Sequence, residues 1–530
     1  MIFKSPYPDV VIPDESVTEY VLTRAAHLRD KVALIDGTNG ATISFRQLAQ
    51  GIKRVAHGLV SRGFAKGDVL AIYSPNTPTY PIAFHGVAHA GGVVTTVNPT
   101  YLVSDLASQL RDSGARFIIT AGPFTNNALQ AAEEVGGIDE IFSFDGSPGT
   151  TPFSELMETE ELSTGANIDP DKDLLALPYS SGTTGISKGV MLTHRNLVAN
   201  MAQLNGCEEL CRPLTERDTL IAVLPFFHIY GLTVIMNYAL SKGASTVVLP
   251  RFDLEQFLAA IQEYGVTFAH LVPPILVALA KHPLVDAYDL TSLEGINSGA
   301  APLGRELAEA VEKRLGCVVA QGYGLTETSP VTHVAPNREQ GQTPHASVGP
   351  VLPNTQVAIV DISTEQRLGA GERGELWIRG PQVMQGYLGQ PEATGATIDE
   401  EGWLHTGDIA YVDESGHCYI VDRMKELIKF KGFQVAPAEL EALLLSHSHI
   451  TDAAVVRSPD QEAGEIPKAF VVSDGSLSEE DVMSFVNERV SPHKKIRRVE
   501  FIDQIPKSPA GKILRRILIE REAQGTEQTS

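Results

Sequence analysis

Tyr179–Val190 reads YSSGTTGISKGV. Glycine carries no side chain, so backbone N–H groups in such a stretch can come close to an anion. The serine and threonine hydroxyls add donors, and Lys188 adds a point charge. A segment of this composition fits a polyphosphate. It is not the P-loop of nucleoside triphosphatases, which needs G-x-x-x-x-G-K-[ST]. Here Ser187 precedes Lys188 and Gly189 follows it. A plain surface loop rich in Gly, Ser and Thr is the competing reading, so the decision falls to the flanking chain.

Outward from that loop, short apolar runs alternate with longer amphipathic stretches from about residue 30 to 330. Val32–Ile35, Val69–Tyr73, Phe117–Thr120, Leu220–Leu224, Ser245–Leu249 and Val318–Gln321 read as strands. Phe45–Arg62, Thr79–His89, Leu254–Tyr264 and Gly304–Leu315 read as helices, with Phe257, Leu258 and Ile261 at helical spacing in one of them. Strands alternating with helices predict parallel α/β architecture. From about Val348 to Ile420 the texture changes to β-like runs (Gln356–Val360, Glu375–Arg379, Ala410–Val412, Cys418–Val421) separated by Gly, Pro and Asp turns. That predicts a small antiparallel unit. A mixed pattern then returns, with the domain boundary expected at Asp422–Lys425 and a frayed polar end at Ala523–Ser530.

The whole chain bounds the reading. Its 530 residues exceed one ordinary core, so two or more domains are expected. A hydrophobic fraction of 43% and a charged fraction of 20% are those of a soluble globular protein. The net charge of −23 argues against nonspecific nucleic-acid binding, which needs Lys and Arg to neutralise phosphates. Anionic substrates must then be held by local positive charge. Cys207, Cys211, Cys317 and Cys418 include one C-x3-C pair with no second pair to complete a zinc site. Scattered cysteines, the lack of an apolar run of signal-peptide type in MIFKSPYPDVVIPDE and the lack of a terminal Ser-Lys-Leu give the expectation of a cytoplasmic protein. Thr219–Leu240 is long and uncharged enough to span a membrane. Pro225, His228, Gly231 and Asn237 interrupt it, so it reads better as a buried strand, a loop and a buried helix.

Five further segments carry chemistry: LPFFHIYG at Leu224–Gly231, QGYGLTETSP at Gln321–Pro330, WLHTGD at Trp403–Asp408, DRMKELIKFKGFQV at Asp422–Val435 and PKSPAGKILRR at Pro506–Arg516. With the opening loop, these six segments in this order resemble the adenylate-forming superfamily of acyl-CoA synthetases, luciferases and peptide-synthetase adenylation domains. The likeness covers most of the chain and is closest to 4-coumarate–CoA ligases. It implies a large N-terminal AMP-binding domain, residues 1–422, of α/β subdomains plus a small β-barrel-like unit. A small mobile α+β domain, residues 423–530, follows.

The implied reaction explains the residue types. A carboxylate attacks the α-phosphorus of ATP, pyrophosphate leaves, and a thiol then displaces AMP from the mixed anhydride. Two anions must meet in the first step, so positive charge has to be concentrated there. By resemblance, Ser180, Ser181, Gly182, Thr183, Thr184, Gly185 and Lys188 hold the β- and γ-phosphates. Thr326 binds the α-phosphate, and Glu327 helps hold Mg²⁺, for which carboxylate and phosphate oxygens suit. Asp408 takes the ribose hydroxyls with support from Arg423. Tyr323 stacks on adenine, and Gln321 and Gly322 line the nucleotide site. Lys512 bridges carboxylate and α-phosphate in the first half-reaction. Lys425 is the hinge pivot. After rotation Lys429, Lys431, Gly432 and Gln434 approach the thioester-forming site, with Lys431 and Gly432 touching CoA. Arg251 stands where relatives place a lysine near the CoA phosphates. His228 borders the acyl carboxylate. Tyr230, Val234, Asn297, Ala300, Gly324, Pro330 and Val331 line the acyl pocket, with Ala300 and Gly324 small enough to admit a flat ring.

The expected substrates are a small carboxylic acid, ATP and CoA, with Mg²⁺ as cofactor, no nucleic-acid partner, no membrane span, and a monomeric or homodimeric state. The alternatives are a medium- or long-chain fatty acyl-CoA synthetase or a luciferase-like adenylating enzyme. A non-catalytic acyl-adenylate sensor predicts damaged motifs, yet Lys188, Glu327, Asp408, Arg423 and Lys512 are all present. A peptide-synthetase adenylation domain would place an aspartate in the early pocket, and the uncharged FFHIYGLTVIM run offers none.

Overall fold

The computed structural model describes residues 1–180, 187–207, 213–336, 344–460, 462–509 and 511–527, with side chains described to residue 522. Two large sheets form the centre. In the first, Val93–Val97, Val69–Tyr73, Ala115–Thr120 and Glu140–Ser143 lie side by side and parallel. In the second, Val318–Gly324, Gly295–Ser298, Phe268–Leu271, Thr219–Ala222, Ser245–Val248 and Val32–Asp36 do the same. The expected strands and helices are present, with ends shifted by a few residues. Runs such as Leu70–Ile72 are fully buried, as a parallel sheet covered on both faces requires.

Helix Phe45–Ser61 shows how local sequence sets these elements. Ser44 caps it, with Gln47 completing the capping box. Leu48, Ile52, Val55 and Leu59 repeat at helical spacing and are fully buried against the core shared by both sheets.

The 348–420 region is an antiparallel sheet of Gln356–Val360, Gly374–Arg379, Leu404–Val412 and Cys418–Arg423. Phe3–Lys4 joins its edge, a pairing that the sequence reading did not anticipate. Cys418–Arg423 belongs to this sheet, whereas the next strand, Ile428–Phe430, belongs to the C-terminal sheet with Phe433–Val435, Gly464–Ser473, Ile450–Asp460 and Arg498–Phe501. That C-terminal unit has its own core around Ile428, Val455, Val471 and Val486.

Thr219–Leu240 resolves into strand Thr219–Ala222, a loop, and a buried helical segment that is a π-helix over Tyr230–Tyr238. Among the described residues no helix is long and apolar enough to cross a membrane.

Candidate active site

A cavity of about 1060 Å³ opens beyond the carboxyl ends of the parallel strands, where α/β sheets place their ligands. Thr96, His270, Asn297 and Gly322–Gly324 reach it from those strand ends. Lys507–Leu514 of the C-terminal unit covers it from the other side, Ala510 lying outside the described residues.

The covering loop is tight. Ser508 N–H donates to the Lys512 carbonyl at 2.8 Å, and Leu514 N–H to the Pro506 carbonyl at 2.9 Å. Gly511 turns it at φ +79°, and a Cβ there would come to 3.0 Å from Val272 of the large domain. Arg515 anchors the loop's far end, donating to Glu426 at 2.8 Å and to both oxygens of Glu441 at 2.6 and 3.0 Å. This places Lys512 on the cavity wall with Arg423, Lys425 and His228. Burial, then the nearby Arg423, pulls the Lys512 ammonium down to about 8, while Glu426 and Asp408 oppose the shift. Burial and Lys512 hold His228 down at about 4, so it is neutral near pH 7. Its Nδ1 accepts the Tyr230 N–H at 3.3 Å, which leaves the proton on Nε2.

Asp408 sits just behind this wall, 3% exposed. Its Oδ2 accepts the Tyr323 hydroxyl at 2.6 Å. Its Oδ1 lies 3.4 Å from Arg423 Nε, within ion-pair range but without hydrogen-bond geometry, and is an unpartnered buried acceptor. Burial raises the Asp408 carboxyl, and Arg423 and the Tyr323 hydroxyl pull it back. Thr326 and Glu327 face the same cavity from a short turn after strand Val318–Gly324.

Glu327 is buried, and its Oε1 accepts the Tyr387 hydroxyl at 3.0 Å. The Lys188 ammonium stands 4.7 Å from the centre of the same Tyr387 ring, a cation–π distance. Tyr387 thus ties the loop lysine to the candidate magnesium carboxylate. Sequence reading missed it, because a lone tyrosine between Gly386 and Leu388 carries no local signal. Ser180 lines the cavity. Ser181, Gly182, Thr183, Thr184 and Gly185 lie outside the described residues. Gly322 and Tyr323 line the cavity, but Gln321 does not. Its amide is committed to the backbone, accepting Leu303 N–H at 3.0 Å and donating to the Leu303 and His345 carbonyls.

The inner end of the cavity is apolar with one polar cluster. Tyr230, Val234, Asn297, Ala300, Gly324, Pro330 and Val331 all line it, together with Tyr238, Phe268 and His270, which the sequence reading did not single out. Asn297 Nδ2 donates to the Tyr230 hydroxyl at 3.0 Å, and that hydroxyl lies 3.0 Å from His270 Nδ1. Burial holds His270 down at about 3, so its ring is neutral. The same Tyr230 hydroxyl donates to the Asn297 backbone carbonyl at 3.2 Å, so the tyrosine, the histidine and the asparagine form one polar cluster. Gly324 has a further cause besides room for a ring: a Cβ would lie 2.0 Å from the Pro330 carbonyl oxygen. Ala300 is exposed at φ +66°.

Some expected residues stand elsewhere. Lys429, Lys431, Gly432 and Gln434 form an exposed hairpin away from the cavity, with the Lys431 ammonium 2.5 Å from Glu462. Arg251 is exposed and also off the cavity. The arrangement therefore assembles the Lys512 face and not the Lys431 face.

The family model described as AMP-binding enzyme matches residues 21–388, and that described as AMP-binding enzyme C-terminal domain matches 439–512. 4-Coumarate–CoA ligase 1 of Petroselinum crispum is 43% identical over 532 aligned positions, covering 99% of this chain and 97% of that protein. 4-Coumarate–CoA ligase of Pinus taeda is also 43% identical, covering 98% of each. Among solved structures, ATP-bound MatB of Rhodopseudomonas palustris superposes with a TM-score of 0.86 at 28% identity, covering 96% of this chain and 99% of that one.

Proposed function

We propose a substrate class and a division of labour from one premise: the chain belongs to the AMP-binding enzyme family and is an ATP-dependent, AMP-forming acid–thiol ligase. The acid is of the cinnamate type, carrying a hydroxyl on the far side of its ring, as in 4-coumarate. One observation carries this reading. The depressed Lys512 ammonium and neutral His228 share a cavity whose inner end is apolar except for Tyr230, His270 and Asn297.

In the first step the acid's carboxylate oxygen bonds to the α-phosphorus and pyrophosphate leaves. Lys512 lies between the two anions and lowers their repulsion, and Thr326 donates to the α-phosphate. The neutral imidazole of His228 offers N–H without adding charge. Asp408 takes a ribose hydroxyl on its unpartnered Oδ1, beside Arg423. Lys188, held over Tyr387, meets the outer phosphates. In the second step CoA's sulfur attacks the acyl carbonyl and AMP leaves. The exposed Lys429–Gln434 hairpin then takes the place of the Lys512 loop, pivoting at Lys425.

Among the described residues no group of three or more His, Cys, Asp or Glu could hold a resident metal. Glu327 alone suits a cation that arrives on the triphosphate, and Mg²⁺ so held would shield phosphate charge.

The test is AMP release with CoA and a panel of cinnamates and medium- and long-chain fatty acids. 4-Coumarate should give the highest kcat/KM. His270→Leu should narrow the preference for 4-coumarate over cinnamate by roughly tenfold, as a lost polar contact to a hydroxyl does. A fatty acyl-CoA synthetase is the second reading, favoured by the apolar Leu204, Cys207 and Leu214 that extend the cavity wall. Fatty acids outperforming every cinnamate would establish it instead.

A further inference from the structure

Helix Pro273–Lys281 of the large domain touches the C-terminal unit at both ends. At its start, Val272 faces Gly511, the residue before Lys512. At its end, the Lys281 ammonium donates to three backbone carbonyls of the C-terminal unit: Leu445 at 2.8 Å, His447 at 3.1 Å and Ile450 at 2.6 Å. An ammonium has three donors, so all are spent across the domain boundary.

The acceptors are chemically apt. Leu445 is the last residue of helix Pro437–Leu445, where carbonyls lack intrahelical partners and the helix dipole is negative. Among the described residues Lys281 has no carboxylate within ion-pair range; these carbonyls take its hydrogen bonds, and the nearby His447 ring is repelled by it when protonated. The helix carrying it is fixed to its own domain. Arg314 donates to the Leu279 and His282 carbonyls at 3.1 and 2.9 Å and pairs with Asp286 at 2.8 Å. Packing on the far side is close, since a Cβ on Gly304 would meet the Ala442 side chain at 3.1 Å.

We infer that Lys281 is a positioning residue for adenylation: it latches the C-terminal unit in the orientation that brings Lys512 into the cavity, and it must let go when that unit rotates. The nine-residue helix is about 13 Å long, so the latch and the Lys512 loop bear on opposite ends of one rigid rod. Fixing one end restricts the other. The inference rests on the Lys512 role proposed above. A ligand or side chain shifts a two-state element only through contacts made in one state, and these three hydrogen bonds belong to the adenylating arrangement.

Lys281→Met in the full chain keeps the packed stem and removes the donors. Three readouts decide the matter. Acid-dependent pyrophosphate release should fall about tenfold, because each bond from a charged donor contributes measurably to one state. Thioester formation from supplied acyl-adenylate and CoA should not fall. Deuterium uptake should rise about tenfold in 437–450 and stay unchanged in strand Val69–Tyr73, which shows the fold intact. Lys281→Arg should restore at least half of the lost pyrophosphate release. Equal loss in both half-reactions, no loss in either, or unchanged uptake in 437–450 overturns the latch. If the wild-type protein releases no pyrophosphate with any acid, the ligase reading fails, and deuterium uptake still decides the latch by itself.

Discussion

The depressed Lys512 ammonium makes adenylation sensitive to mild alkali. Its ordinary value near 10.4 falls to about 8, first through burial and then through Arg423. The charged form is the one that brings two anions together, so activity should be lost as pH rises through that value. The charged fraction drops from about nine-tenths near pH 7 to about one-tenth near pH 9. In a pyrophosphate-release assay, kcat/KM for ATP should therefore fall about tenfold over that interval. That parameter reports the free enzyme, whereas bound triphosphate stabilises the ammonium and should move the break in kcat to higher pH. Lys512→Arg provides the control, because guanidinium stays charged throughout and its profile should lose the break despite a lower rate. A profile flat beyond pH 9, or the same break in Lys512→Arg, would refute the assignment.

Three more outcomes follow from the geometry. Asp408→Asn removes the charge facing Arg423 and should raise the KM for ATP by about 10- to 100-fold with a smaller change in kcat, as steady-state kinetics will read. Lys425→Pro should spare pyrophosphate release and slow thioester formation by about tenfold or more, because it stiffens the segment joining strand Cys418–Arg423 to strand Ile428–Phe430. Burial holds His85 and His333 down at about 3, so folding favours their neutral forms. That stability is complete above pH 6.5 and is lost as pH falls towards the folded values. It amounts to about 2 kcal/mol for each histidine between pH 6.5 and 5. Urea midpoints should fall accordingly, and equal midpoints at both pH values would contradict it.

The placement of a candidate side chain was legible where one short segment contains its own cause. PKSPAGKILRR announced a turn carrying a lysine, and the structure sets Lys512 on the cavity wall. Strands such as Val69–Tyr73 were legible because a parallel sheet buried on both faces leaves an unbroken apolar run. What stayed hidden depends on distant partners. Phe3–Lys4 is too short for any pattern and pairs with Gln356–Val357. Tyr387 gains meaning only when strand pairing sets it beside Lys188 and Glu327. His270 is a polar residue in the buried strand Phe268–Leu271, and only the folded sheet brings it to the cavity. Gln321 misled because its neighbours line the cavity while its own amide turns to the Leu303 and His345 backbone. The π-helix over Tyr230–Tyr238 could not be told from an α-helix, since every residue in it is buried and no face stands out.

The central claim is that Lys512 enables acyl-adenylate formation before sulfur takes part. A single-turnover measurement of pyrophosphate release, with 4-coumarate, ATP and magnesium but no CoA, tests it most directly. The account predicts a burst approaching one equivalent per wild-type chain and a rate lower by about 100-fold or more in a folded Lys512→Ala variant. Pyrophosphate that appears only after CoA is added, or a burst unchanged in Lys512→Ala, would contradict it.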